Sequence, residues 1–307
     1  MTETRYAILP DRGVLTIAGE EHRAFLQGLI SNDVNRVDPG HAAWAAFLTP
    51  QGKYLHDFFL APHGDGLLLD GEAARLPDLL RRLKMYRLRS KVDLADLGDV
   101  WAVAALFGDG AAAAAGLDGT VAGAAAPFAG GVAFVDPRLA AAGVRAILPR
   151  DGAEAALAGA GLAAASAADY DAHRLALGLP DGSRDLELEK SILLESGFDE
   201  LHGVDWNKGC YMGQELTART KYRGLIKKRL LPVTIDGPAP EPGTPILAGG
   251  REAGEMRSSA GDRGLALLRL EFLDPDSATG DLSAGGATLH PWKPEWLDLA
   301  TGRDSQT

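Results

Sequence analysis

Residues 204–229 read VDWNKGCYMGQELTARTKYRGLIKKR. Between Lys208 and Arg229 stand seven basic residues, Lys208, Arg219, Lys221, Arg223, Lys227, Lys228 and Arg229, against the single acid Glu215. The window therefore carries +6 in a chain of formal net charge −11. A reversal so local points to an anion site, or else to a solvated basic face. Gly209 and Gly213 bracket Cys210, and glycine lets a backbone approach a ligand closely or take up positive φ. Cys210 is the only cysteine. Cations beside a thiol favour the reactive thiolate, whereas a cysteine in apolar surroundings packs as a small hydrophobe. Trp206 and Tyr211 offer flat faces for a heterocycle, or equally for the core. Gln214 and Glu215 supply an amide and a carboxylate for a ring that bears N–H donors.

Upstream of this window the pattern mixes hairpins with helices. GVLTIA (13–18) reads as a strand, and Phe25, Leu26, Leu29 and Ile30 form one helical stripe. Pro50-Gln51-Gly52-Lys53 separates two apolar runs and reads as a hairpin turn. Leu76, Leu79, Leu80 and Leu83 mark an amphipathic helix with Pro77 in its first turn. Residues 108–168 are rich in Ala and Gly, which suits either a linker or a loop-and-helix region; Val132–Val135 and Val144–Leu148 interrupt them as strands. Ser166 with Asp169 fits a capping box, and Gly178 and Pro180 mark the stop of that helix. No regular β-α-β alternation emerges, so the class expected is α+β. Downstream, RLLPVTI, TPILAGG, EAGEMRSSA and GLALLRLEFL are short strands punctuated by Pro, Gly and Asp. They predict a small barrel or sandwich. The expected division is a first domain over 1–229 and a β-domain over 230–307.

The 307 residues leave room for two domains, and a hydrophobic content of 46% supports a sizeable core. The acidic surface disfavours nucleic acid and anionic membranes. One cysteine excludes an intramolecular disulfide and a cysteine-rich cluster site within one chain. The opening MTETRYAILPDRG lacks a basic segment followed by an apolar one, and its early acids argue against a transit peptide, so the expected location is cytoplasmic.

The run KGCYMGQE, residues 208–215, resembles the signature K-G-C-[FY]-x-G-Q-E of the YgfZ-type folate-binding proteins, which are similar to the aminomethyltransferase (T-protein) of the glycine cleavage system. FLQGLISNDV (25–34), LTPQGKYLHDFFL (48–60) and EAGEMRSSAGDRGLALLRL (252–270) resemble the family's opening helix, hairpin and barrel. The resemblance implies an aminomethyltransferase-like α+β body that binds tetrahydrofolate, with a C-terminal β-barrel. It implies a role for folate and the motif cysteine in assembly or repair of iron–sulfur proteins, with the assembly machinery or client proteins as partners. Carried over position by position, Lys208, Gly209, Cys210, Gly213, Gln214, Glu215 and Arg219 match. Trp206, Tyr211 and Glu195 join them as candidate folate contacts, and Asp57 as a candidate acid/base beside the reactive Cys210. Two positions depart from the T-protein pattern. Ala176 stands where an acid holds the pterin, with Glu195 as a possible substitute or an ordinary loop carboxylate. Asp57 is the one acid left of a pair after the hairpin turn, in the pocket or facing solvent. Asn32 and Asp33 read as the turn that ends the opening helix. The alternative function is a folate-dependent aminomethyl or one-carbon transferase, which needs a correctly placed acid/base.

Overall fold

A computed structural model describes residues 3–224, 226–273 and 281–298. The chain divides into two compact units, one formed by 1–48, 55–170 and 201–212, the other by 49–54, 171–200 and 213–307. The signature is thus covalently continuous but shared, with Lys208–Met212 in the first unit and Gly213–Glu215 in the second.

The first unit contains two sheets. One is ordered Ala43–Leu48, Tyr54–His63, Gly66–Glu72, Arg12–Ala18, Asp93–Asp96, with antiparallel pairing from the last strand of the hairpin onward. The other runs Ala163–Ala164, Arg5–Ile8, Trp101–Phe107, Val144–Pro149, Gly131–Val135, Ala125–Phe128. Trp101–Phe107 is buried at every residue, as a strand covered on both faces must be. The helix Leu76–Arg87 begins with Pro77 in its first turn and sinks Leu76, Leu79 and Leu83 into the core with Leu15, Ile17, Phe58 and Leu69. The alanine run at 111–114 is helical and packs Ala111 inward, which favours the loop-and-helix reading over a linker. The opening helix is shorter than its stripe: it spans His22–Gln27 and stops at Gly28. Leu29 and Ile30 are still buried; Ile30 N–H closes a last turn onto Leu26 O at 3.1 Å, and the residue then pairs with Phe47 in a β-bridge.

In the second unit the helix Ala167–Ala176 continues from the first, and its start carries the expected reciprocal cap. Ser166 N–H donates to Asp169 Oδ2 at 2.8 Å and Asp169 N–H to Ser166 Oγ at 3.1 Å. Gly178, at φ +72°, lies just past the helix end. Six strands among the described residues, Lys228–Asp236, Arg263–Arg269, Arg251–Ala260, Pro245–Ala248, Leu282–Ala284 and Ala287–Pro291, close into a barrel. Closure removes sheet edges, and the alternate apolar residues Val233, Ile246, Met256, Ala266, Leu268 and Leu289 fill the interior. Arg174 is buried in this unit, donating to Asp171, Asp185, Leu179 O and Ser258 Oγ. The turn of the first hairpin belongs here too. Gly52 has φ +83°, and a Cβ on it would fall 2.5 Å from Gly213 O and 2.6 Å from Leu216 Cβ. Only glycine fits that approach.

Candidate functional site

The segment Lys208–Met212 is irregular, and it is held by the end of the opening helix. Gln27 Nε2 donates to Lys208 O at 3.2 Å and Met212 N–H to Gly28 O at 3.0 Å. Lys208 Nζ donates in return to Gln27 O and to Ile30 O, and lies 5.1 Å from the centroid of the Tyr211 ring. Those carbonyls are free to accept because the helix ends there. Burial pushes the Lys208 ammonium down to about 8, although the charges of Asp33 and Asp205 oppose it. Tyr211 is buried, Trp206 half-buried, and Cys210 exposed. Gly209, at φ +91°, adopts the conformation expected of a glycine next to an outward-facing thiol.

Ser31 and Asp205, which the sequence reading passed over, hold this loop in place. Ser31 Oγ donates to Gly203 O at 2.6 Å, and Asp205 N–H donates to Ser31 O at 3.1 Å. Asn32 is not a simple turn residue. It is buried, and its Nδ2 donates to Trp44 O and His202 O, both at 2.7 Å. Asp33 caps the short helix that follows, accepting from Asn35 N–H at 2.9 Å. Asp205 is buried and paired with Arg36 at 2.7 Å.

Asp57 lies in the same unit and is buried, so the solvent-facing alternative fails; its Oδ2 accepts from Trp44 Nε1 at 3.0 Å. Close by is a polar cluster inside the core. Asp70, fully buried, accepts from Arg12 Nε at 2.7 Å and from Arg145 Nη2 at 2.6 Å. Asp136 is paired with Arg138 at 2.8 Å. The guanidiniums of Arg12, Arg138 and Arg145 lie 5.7, 5.0 and 4.1 Å from the Phe59 centroid. Burial alone would raise Asp136, but the Arg138 charge and hydrogen bonds prevail and hold it below the usual carboxylate range. The available signal was a single charge inside an apolar run, as in GLLLDG (66–71) and GVRAIL (143–148).

In the second unit Gly213, at φ +82°, caps the helix Gln214–Tyr222. Gln214 is half-buried, while Glu215 and Arg219 are exposed on that helix. Glu195 is half-buried in a short helical turn, Leu193–Ser196. Burial raises its pKa, against the charges of Lys228, Lys53 and Arg229. A carboxylate so placed can accept N–H hydrogen bonds from a ring or hold a proton itself. Among the described residues no group of three His, Cys, Asp or Glu side chains is placed to hold a metal ion.

Residues 227–299 match the family model of the CAF17 C-terminal β-barrel domain. The human protein named iron–sulfur cluster assembly factor IBA57, mitochondrial, is 36% identical, over 93% of this chain and 84% of its own length. The IBA57 homolog of Mycosarcoma maydis, also named mitochondrial, is 32% identical over 95% of this chain and 84% of its own. Among solved structures, the glycine cleavage system aminomethyltransferase T from Bartonella henselae aligns with TM-score 0.77 at 14% identity, over 96% of this chain and 86% of that one. An aminomethyltransferase-like α+β fold with a C-terminal barrel is therefore the architecture, as expected. The cytoplasmic expectation is overturned: it rested on the acids of the opening residues, whereas the relatives are named as mitochondrial proteins.

Proposed function

The chain belongs to the IBA57 family of iron–sulfur cluster assembly factors, and from that premise we propose that it supports the assembly of iron–sulfur proteins, with Cys210 as its reactive group and tetrahydrofolate as its ligand. The carrying observation is the exposed sole thiol, in a loop whose backbone is tied to the opening helix on both sides, at Lys208 and at Met212. A single thiolate cannot hold a cluster, so the remaining ligands come from a partner protein or a small thiol. The partners on this reading are assembly proteins or the client proteins themselves.

For folate, the support is the resemblance of KGCYMGQE to the folate-binding signature. Glu195 fits a ring with N–H donors, because it is half-buried and its pKa is raised. The transferase alternative needs an acid/base able to reach the folate. Asp57 is engaged with Trp44 beside a packed arginine cluster, which weighs against that use.

The test replaces the relative in cells lacking it and measures the activity of iron–sulfur enzymes, alongside a calorimetric titration with tetrahydrofolate. Cys210→Ser should abolish the rescue while leaving folate affinity intact. Full rescue by that variant refutes the role of the thiol, and absence of folate binding to the wild type refutes the ligand.

A further inference from the structure

We propose that the surface formed by the end of the helix Leu76–Arg87 and the turn after it is a docking site for an acidic, apolar-anchored segment of a partner protein. Residues 81–91 read RRLKMYRLRSK, six cations and no acid in a chain of net charge −11. Leu83 is buried, but Met85, Tyr86 and Leu88 are 62%, 40% and 86% exposed. These three are consecutive or nearly so, unlike the scattered single apolar residues of an ordinary surface.

The acids that face this surface neutralise only part of it. Asp78 is shared by Arg81 and Arg82, and Glu20 takes Lys91. Glu21 accepts from the Lys91 backbone N–H, and Asp96 lies at the rim of the furrow beside Met85. Lys84, Arg87 and Arg89 are exposed and have no carboxylate partner among the described residues. An acidic partner is repelled by most of this protein and attracted here, which gives the site its selectivity.

Backbone geometry adds an independent observation. Leu88 has φ 45° and ψ −107°, a region that a branched side chain adopts only under constraint. The constraint projects an apolar side chain into solvent, and such local strain concentrates at binding and switching positions. A furrow of about 540 Å³ on the same helix is lined by Pro77, Leu80, Arg81, Lys84, Met85 and Asp96, while Leu88 borders a second depression with Glu21, Arg89 and Ser90. The furrow is shallow and open, and a chain of net charge −11 is repelled by an extended anionic membrane but not by one short acidic segment that meets only this surface. The favoured occupant is therefore a protein segment and not a membrane.

The experiment uses the full chain and three probes: a fluorescent peptide of glutamate and leucine, its lysine–leucine counterpart, and phosphatidylglycerol vesicles. The acidic peptide should bind, more weakly as salt rises, and roughly tenfold more weakly to Lys84→Glu/Arg87→Glu/Arg89→Glu. Leu88→Gly should relieve the backbone and raise thermal stability, yet lose affinity. These side chains are exposed, so folding of both variants is checked directly by circular dichroism. No binding of the acidic peptide, equal binding of the basic one, binding unchanged in the triple variant, or binding to vesicles alone overturns the proposal.

Discussion

Lys208 sets up a quantitative test. Its ammonium is removed from water and held by the carbonyls of Gln27 and Ile30 and the face of Tyr211. The charged form is disfavoured in the folded chain, which brings the pKa from 10.5 to about 8. At full burial that gap corresponds to roughly 3 kcal/mol, and because Lys208 is only half-buried, solvent screening reduces it to about 1–2 kcal/mol. The unfolded chain binds more protons than the folded one between these two values, so stability rises with pH across that window. Below about pH 8 both states are protonated and the desolvation cost is fully present. Lys208→Met cannot titrate. It also leaves the two carbonyls without their donor, a constant loss of about 1–3 kcal/mol. The stability difference between wild type and variant, from urea unfolding at a series of pH values, should widen by about 1–2 kcal/mol from pH 8 to 10.5. Trace acetylation read by mass spectrometry gives the Lys208 midpoint independently. Parallel stability curves, or a midpoint near the ordinary lysine value, would refute the argument.

Asp70→Asn leaves Arg12 and Arg145 buried without their shared carboxylate; it should cost about 3–5 kcal/mol, a fall in Tm on the order of 10 °C. A variant within 1 °C of wild type would show, roughly, that the cluster carries no stability. Glu195→Gln removes a half-buried carboxylate whose raised pKa marks a cost to the charged form. The variant should therefore be at least as stable as wild type at neutral pH, and that margin should shrink as pH falls and the wild-type carboxyl gains its proton. If Glu195 receives a folate N–H, the same variant should also weaken folate binding by roughly tenfold, measured by calorimetry.

The parts of this molecule that were readable in the sequence are those encoded within a few residues of one another. Ser166 and Asp169 are three apart and cap each other; Pro77 opens a helix whose leucines recur at helical spacing; the barrel strands announce themselves by alternation and by Gly and Pro at their ends. The arginine cluster around Phe59 was not readable in this way. Arg12, Asp70 and Arg145 sit on three separate strands, and only sheet pairing and packing make them neighbours. A lone charge in an apolar run shows that a partner must exist but does not name it. The opening helix misled for the converse reason. Leu29 and Ile30 keep the helical spacing of buried residues, yet the regular helix stops at Gly28, both N–H groups turn back onto Leu26 O, and Ile30 goes on to bridge with Phe47.

The same contrast changes how the basic window is to be understood. Counted along the chain, 208–229 holds seven cations. In the folded molecule Lys208 is bound to backbone carbonyls, Arg229 is buried against Glu200 and Leu194 O, and Lys221 is paired with Asp199. Those three act in holding backbone and neighbouring helices, each within its own unit. Exposed positive charge falls instead to Arg219, Arg223 and Lys227, which are not needed to position the cysteine. The exposed charge of this window and the placement of the thiol therefore fall to different residues of 204–229. Replacing the exposed arginines should weaken attraction to an anionic partner and leave the Cys210 loop in place; replacing Lys208 should loosen the loop while the exposed charge remains.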